Sequence, residues 1–360
     1  MMIKPQILYD IFEKVKQKID HKEDVIKLHV GEPDQSPPKI IFSTIFRSLK
    51  QGRFHYGSAL GDLRLREILA KKHQVSLENI IIGPGSKFLI YSFLKIMSQK
   101  NNPPLFIPLP SWSAYTLMAA DLKLKVRYLK TAEENNWQIL PSVLKKYQNG
   151  ILILTNPNNP TSHLYDLDSL FPIIEKNNLT LLLDLAYYFL IFKKNISFPL
   201  PFSPKIVSIF SFSKELAMTG FRLGYLIADK QIIDQIKKFI QMTITSVPLF
   251  IQDAVTEVLL NQSKFYWKMK RIYEKRANLV SKILKEAGLS FSSPQAGFYI
   301  FINTNQKAEQ LALKLIDKGV AVVPGTAFGP YPSYIRISLT EKENRLEKGI
   351  KIIIETIKKG

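Results

Sequence analysis

Four polar segments of this chain carry side chains able to do chemistry, and they come in a telling order. Thr155-Asn156-Pro157-Asn158-Asn159-Pro160-Thr161 follows the apolar run Ile151–Leu154. Asp184-Leu185-Ala186-Tyr187 follows Thr180–Leu183. Ser211-Phe212-Ser213-Lys214 follows Ile206–Phe210, and Arg222 lies eight residues beyond the lysine in Thr219-Gly220-Phe221-Arg222-Leu223-Gly224-Tyr225. Ligands of open parallel sheets collect at the carboxyl ends of the strands, where these segments fall. Gly83-Pro84-Gly85-Ser86-Lys87 precedes a helical pattern, and a helix N-terminus offers free N–H groups to an anion. Arg336 sits in a short apolar strand, where a buried guanidinium needs an anion. Singly, each has an ordinary explanation: an Asn/Pro loop is a turn, a strand-ending Asp caps the next helix, a lysine among serines is solvated. Their joint spacing points to a site.

The elements that must position them are legible. Leu105–Ile107, Lys125–Tyr128, Ile151–Leu154, Thr180–Leu183, Ile206–Phe210 and Gly224–Ala228 are apolar on both faces, as strands of a covered parallel sheet are. Helical patterns such as Lys87–Ser98 and Leu167–Lys176 lie between them, so an α/β sheet with helices on both faces is expected. The last hundred residues differ: a long amphipathic helix over Lys264–Ala287, a strand over Gly297–Ile302, a helix over Gln306–Lys318, a strand over Tyr334–Leu339 and a closing helix. They read as a smaller α+β domain that the N-terminal segment joins. The expected division is 46–262 for the large domain and 1–45 plus 263–360 for the small one.

Composition narrows the classes. The 360 residues are 46% hydrophobic and 22% charged, ordinary for a soluble globular protein. No apolar run nears the roughly 20 residues of a membrane span, and the nearest, Leu179–Phe192, carries Asp184. The N-terminus lacks the layout of a secretory signal, so the cytoplasm is the expected compartment. With no cysteine, disulfides and thiolate metal sites are excluded, and no metal is expected. The formal charge is +20, but 40 of the 50 basic residues are Lys, scattered in pairs and without a long basic block. That is a composition bias rather than a nucleic-acid groove.

Taken together, these motifs resemble those of fold-type I pyridoxal-phosphate enzymes, the class I/II aminotransferases. The block from Ser211 to Lys214 and on to Tyr225 is the nearest match, and the likeness runs from Gly31-Glu32-Pro33-Asp34 to Tyr334-Ile335-Arg336-Ile337-Ser338. It implies a large domain with a mostly parallel seven-stranded sheet, and pyridoxal 5′-phosphate carried on Lys214 as a Schiff base. By the same resemblance the catalytic residues are Lys214, Asp184 and Tyr187. Lys214 would move the proton between Cα and C4′, Asp184 would pair with the pyridine nitrogen, and Tyr187 and Asn159 would bond O3′. Trp112 would stack on the ring. The stretch Gly85, Ser86 and Lys87, with Ser211, Ser213 and Arg222, would hold the phosphate. Arg336 would fork the substrate α-carboxylate, assisted by Asn159 and by the backbone of Gly31. Tyr56 would reach the phosphate of a neighbouring subunit, which implies a homodimer with shared sites.

The implied activity is transfer of an amino group from an L-amino acid to a 2-oxo acid by a ping-pong cycle. A decarboxylase or C–S lyase on the same scaffold is the alternative, since fold alone does not choose the reaction. A cofactor-sensing nucleic-acid-binding protein is disfavoured, because the motifs begin at Gly31 and leave no room for a helix-turn-helix domain. Ser162 stands where the family usually has glycine. No arginine is convincingly placed for a distal carboxylate, Arg47 and Arg53 being the candidates. Tyr9, Phe12 and Phe298 are candidates for an apolar side-chain pocket.

Overall fold

Runs of Ile, Leu and Val become interior strands when both faces of each run can be buried. In the computed structural model, which describes residues 6–100, 102–192, 202–261 and 263–359, the runs above do so. Residues 1–5 and 360, assigned above to the small domain, and 262, the last of the large one, lie outside the described residues. A helix over Gln6–Asp20 leads to β1 (Ile26–Lys27). The chain then forms β2 (Ile80–Gly83), β3 (Leu105–Leu109), β4 (Val126–Lys130), β5 (Ile151–Thr155), β6 (Thr180–Asp184), β7 (Ile206–Ser211) and β8 (Gly224–Ile227). These seven make one sheet in the order β2-β8-β7-β6-β5-β3-β4. Only β8 runs antiparallel to its neighbours.

Strand alternation sends successive side chains to opposite faces. Leu152, Leu154, Leu181 and Leu183 enter one buried cluster, and Ile151, Ile153, Leu182 and Ile209 another. The expected α/β class holds, with two corrections. Ile80–Gly83 is a strand that the sequence reading passed over, because its last residue opens the Gly-Pro-Gly turn. Strand β4, at the sheet edge, is covered far less than the others: Arg127, Tyr128 and Lys130 are exposed.

The remaining strands are β9 (Tyr299–Asn303), β10 (Val320–Ala321), β11 (Val323–Pro324) and β12 (Tyr334–Ser338). Strands β11, β12 and β9 form an antiparallel sheet in that order, and β1 pairs in parallel with β10. Helices Ser263–Glu286, Ala308–Asp317 and Glu343–Lys358 accompany them. Their own apolar cluster includes Ile11, Ile26, Leu28, Tyr273, Ile300, Leu315 and Ile350, so the N-terminal segment shares it. No helix among the described residues is long and apolar enough to cross a membrane.

Two features aim this frame at one place. The parallel strands bring Thr155 level with Asp184 and Asp184 level with Ile209, two residues before Ser211. Strand β8 starts opposite both Ser211 and Gly83, so the turn after β2 joins them. From the other side comes the segment after β1, fixed by Asp34. Its carboxylate accepts two bonds from Arg276, at 2.8 and 2.9 Å, and Arg276 also donates to the Leu339 carbonyl at 2.9 Å. Arg276 is buried, and Asp34 is the only carboxylate hydrogen-bonded to it among the described residues, with Glu343 farther off at 3.7 Å. Removing one partner of a buried pair costs about 3–5 kcal/mol. Asp34→Ala is therefore expected to lower thermal stability clearly, by several degrees in a scanning melt; an unchanged Tm would show that water replaces the carboxylate.

Candidate active site

A cavity of about 470 Å³ opens at the carboxyl ends of the parallel strands. Its walls include Gly31, Ser86, Lys87, Trp112, Asn159, Asp184, Tyr187, Ser211, Ser213, Lys214, Arg222 and Arg336. Twelve of the fourteen residues singled out from the sequence are thus gathered around one space. Gly85 stands behind the wall, against Arg222. Tyr56 is the exception: it is 82% exposed and outside the cavity of its own chain.

Asp184 ends β6 with its carboxylate buried. Tyr115 donates to it at 2.7 Å and the Ala186 N–H at 3.1 Å. Burial pushes its pKa up to about 6, against the pull of those two donors and of the Lys214 charge. It has no salt bridge among the described residues, so a cation placed over it would be strongly favoured. Tyr115, itself 2.6 Å from Thr155, is a supporting residue that sequence reasoning missed, since it reads as one more core aromatic on a helix.

Lys214 lies in the short helix Phe212–Glu215, which Ser211 caps by accepting the Ser213 N–H at 3.2 Å. Its amine donates to the Gly31 carbonyl at 2.5 Å. Burial lowers its pKa to about 8; Arg222 and Arg336 act in the same direction, while Glu32 and Asp184 oppose them. Arg222 adopts left-handed backbone geometry (φ 54°) and donates to the Thr219 carbonyl at 2.8 Å. A Cβ at Gly85, whose φ is +87°, would come within 2.5 Å of the Arg222 guanidinium. Only glycine lets the start of helix Ser86–Lys100 and this arginine close on one anion-sized cradle.

Arg336 projects from β12 and is only 5% exposed. Its Nη1 donates to Asn159 Oδ1 at 3.1 Å and its Nη2 to the His29 carbonyl at 2.7 Å, while Nε has no partner. The guanidinium lies 4.3 Å from the Tyr299 ring centroid and 5.0 Å from that of Phe328. No carboxylate pairs with it among the described residues, and burial pulls its pKa down. A buried cation in this state is a receptor for an anion.

Three further expectations are refined. Phe298 is fully buried and packs on Tyr187 and Tyr273, so it is core, while its neighbour Tyr299 lines the cavity. Phe12 lines the cavity and Tyr9 does not. Arg47 approaches Glu257 and Arg53 pairs with Asp62 and Asp253 at a separate surface depression, so neither reaches this cavity. Ser162 takes the left-handed geometry (φ 56°) that glycine adopts more easily, and its hydroxyl accepts the Tyr299 N–H at 3.3 Å. His29, which the sequence reading passed over, also lines the cavity, and burial holds its imidazole neutral, with a pKa of about 3. No cluster of metal-binding side chains occurs among the described residues.

A lysine just past a strand end, a buried carboxylate, an anion-sized cradle and a buried guanidinium with no carboxylate partner among the described residues surround one cavity, which suits it to a ligand carrying both anionic and cationic groups. Comparison with known proteins agrees: the sequence profile described as Aminotransferase class I and II matches residues 23–353. The chain is 33% identical over 359 residues to an aspartate aminotransferase of Thermococcus kodakarensis, covering 97% of this chain and 92% of that protein. It is 30% identical over 377 residues to aromatic-amino-acid aminotransferase 2 of Thermococcus litoralis, covering 97% and 95%. The solved structure of aspartate aminotransferase from Thermus thermophilus with maleate superimposes with a TM-score of 0.91 at 26% identity, covering 98% of this chain and 97% of that one. The chain belongs to the class I and II aminotransferases, a family that uses pyridoxal phosphate, and it is an aminotransferase.

A lysine with a pKa of about 8 is roughly half neutral at pH 8, against well under 1% for an ordinary lysine. Labelling of the cofactor-free protein with a small amine-reactive reagent, read by peptide mass, should therefore show Lys214 reacting with a midpoint near pH 8. A midpoint near 10.5 would contradict the electrostatics described here.

Proposed function

We propose that this aminotransferase moves the amino group of an L-amino acid to a 2-oxo acid in a ping-pong cycle, using pyridoxal 5′-phosphate held in the cavity around Lys214. The observation that carries this reading is the pairing of unmet charges. Among the described residues, the buried Asp184 carboxylate has no cation on it, and Arg336 and the Gly85–Arg222 cradle have no carboxylate on them. The cofactor's pyridinium and phosphate and the substrate's α-carboxylate fit those three needs.

When bound, the cofactor supplies an electron sink for the pair freed as Cα loses its proton. The residues do the rest. Lys214 would hold the cofactor through its carbonyl carbon and, once released by the substrate amine, would be the base placed to take the proton from Cα. Asp184 would keep the pyridine nitrogen protonated, and Tyr187 and Asn159 would hydrogen-bond O3′. Trp112 would cover the ring, while Ser86, Lys87, Ser211, Ser213 and Arg222 would hold the phosphate, with Gly85 leaving the room. Arg336 forks the α-carboxylate bidentately, as lysine cannot, and Gly31 flanks it.

The same reading makes the active unit a homodimer in which Tyr56 enters the partner's site. Supporting it, Tyr56 is exposed, and so are the nearby large apolar residues Phe46, Phe54 and Leu63. The cytoplasm is its expected compartment. Decarboxylation and C–S cleavage are not favoured, since the relatives compared above are named aminotransferases.

Lys214→Ala is expected to abolish the visible absorbance of the holoenzyme and nearly all turnover. Asp184→Ala should retain cofactor poorly and lose proton abstraction far more than substrate binding. Arg336→Ala should raise KM at least tenfold with a smaller change in kcat; an unchanged KM removes its assignment. Single turnovers with a panel of amino acids should release the matching 2-oxo acid, and release of CO₂ or thiol instead would overturn transamination.

A further inference from the structure

Tyr299 occupies a position that none of the roles above uses. It opens β9, where it pairs with Ser338 of β12, so its side chain and that of Arg336 share one face of the sheet on a diagonal. It is only 2% exposed, and its ring lies 4.3 Å from the Arg336 guanidinium. Its hydroxyl is 3.1 Å from the hydroxyl of Tyr187. The same oxygen packs so closely on Gly31 that any Cβ there would overlap it, and the Gly31 carbonyl is the one that accepts the Lys214 amine. Its N–H is held by the hydroxyl of Ser162, the residue that replaces the usual glycine of that loop. One side chain thus touches the carboxylate receptor, the tyrosine beside Asp184, and the backbone that holds the lysine.

We propose that Tyr299 is a positioning residue that links the Arg336 carboxylate site to the proton held at Lys214, acting through the hydroxyl of Tyr187. A phenol that accepts a hydrogen bond becomes a stronger donor itself. Either hydroxyl can donate in the bond between them. Once the cofactor O3′ accepts the Tyr187 O–H, however, that bond can only run from Tyr299 to Tyr187. Tyr187 would then donate more strongly to O3′ and favour the form in which the Lys214 nitrogen has lost its proton. The aromatic face of Tyr299 does a separate job: it fixes the height of the Arg336 guanidinium by cation–π contact. Ring and hydroxyl can be removed independently, and this separates the two effects. The charged groups facing Lys214 are Glu32, Arg222, Arg336 and Asp184, and those facing Tyr187 are Arg336 and Asp184; none is altered by the substitutions below.

The proposal rests on the cofactor reading of the site, and the test distinguishes the two. Holoenzyme is titrated by its visible absorbance, and binding of a non-reactive monocarboxylate such as 3-phenylpropanoate is measured alongside KM and kcat. Tyr299→Phe is expected to raise the titration midpoint by about 0.5–1 unit and lower kcat about 3–10-fold, the effect of losing one hydrogen bond. KM and monocarboxylate affinity should stay within about twofold, because the ring face remains. Tyr299→Leu should add a further loss of about tenfold or more in KM and in monocarboxylate affinity. In a Tyr187→Phe background, Tyr299→Phe should leave the midpoint where Tyr187→Phe alone puts it, since the link runs through that hydroxyl. A midpoint unmoved by Tyr299→Phe, or equal and additive shifts in the double variant, overturns the proposal. A Lys214→Ala protein that keeps the visible band would instead overturn the cofactor reading, whatever Tyr299 does.

Discussion

A buried arginine and a largely enclosed lysine face one cavity with, among the described residues, no carboxylate bonded to either, and the rest of the site is arranged around that unmet charge. Burial weakens the hold of both on a proton, and Arg336 weakens that of Lys214 further. What holds them is backbone: the segment after β1 gives the His29 carbonyl to Arg336 and the Gly31 carbonyl to Lys214. A carbonyl dipole stabilises a cation without neutralising it, so each group stays ready to exchange its bond for a charged or covalent one. The segment can do this because Asp34, three residues on, is clamped by Arg276, and because Ser338 N–H holds the Leu28 carbonyl at 2.7 Å.

Much of this was legible in the sequence, and the reason is chemical. Lys214, Asp184, Asn159 and Arg222 stand in short polar segments directly after apolar runs, a contrast that survives without coordinates. Arg336 stood out because a guanidinium inside a run of Ile and Leu has no other good explanation. Phe298 and Tyr299 show where legibility ends. Phe298 is the turn residue just before β9 and Tyr299 the first residue of the strand, so only the fold decides which ring sees the cavity. Tyr115 was hidden for a similar reason, since a helix buries its aromatic whether or not the hydroxyl meets a carboxylate. Arg53 misled in the opposite direction: its two aspartates, Asp62 and Asp253, lie 9 and 200 residues away.

Ser162 joins the two themes. The loop needs left-handed geometry there, which glycine gives freely and serine adopts at some strain. The hydroxyl gained in exchange reaches β9 and ties the Asn159 loop of the large sheet to the smaller one. The residue that departs from the family pattern is therefore a crosslink between the two halves of the cavity.

The thinly covered edge strand β4 gives the excess of positive charge a physical use. An edge strand presents unpaired N–H and C=O groups that invite a second molecule to extend the sheet. Here that edge displays Arg127 and Lys130, so two copies meeting side by side would set like charges against each other. Charge displayed along an open edge of this kind disfavours the addition of a further strand there.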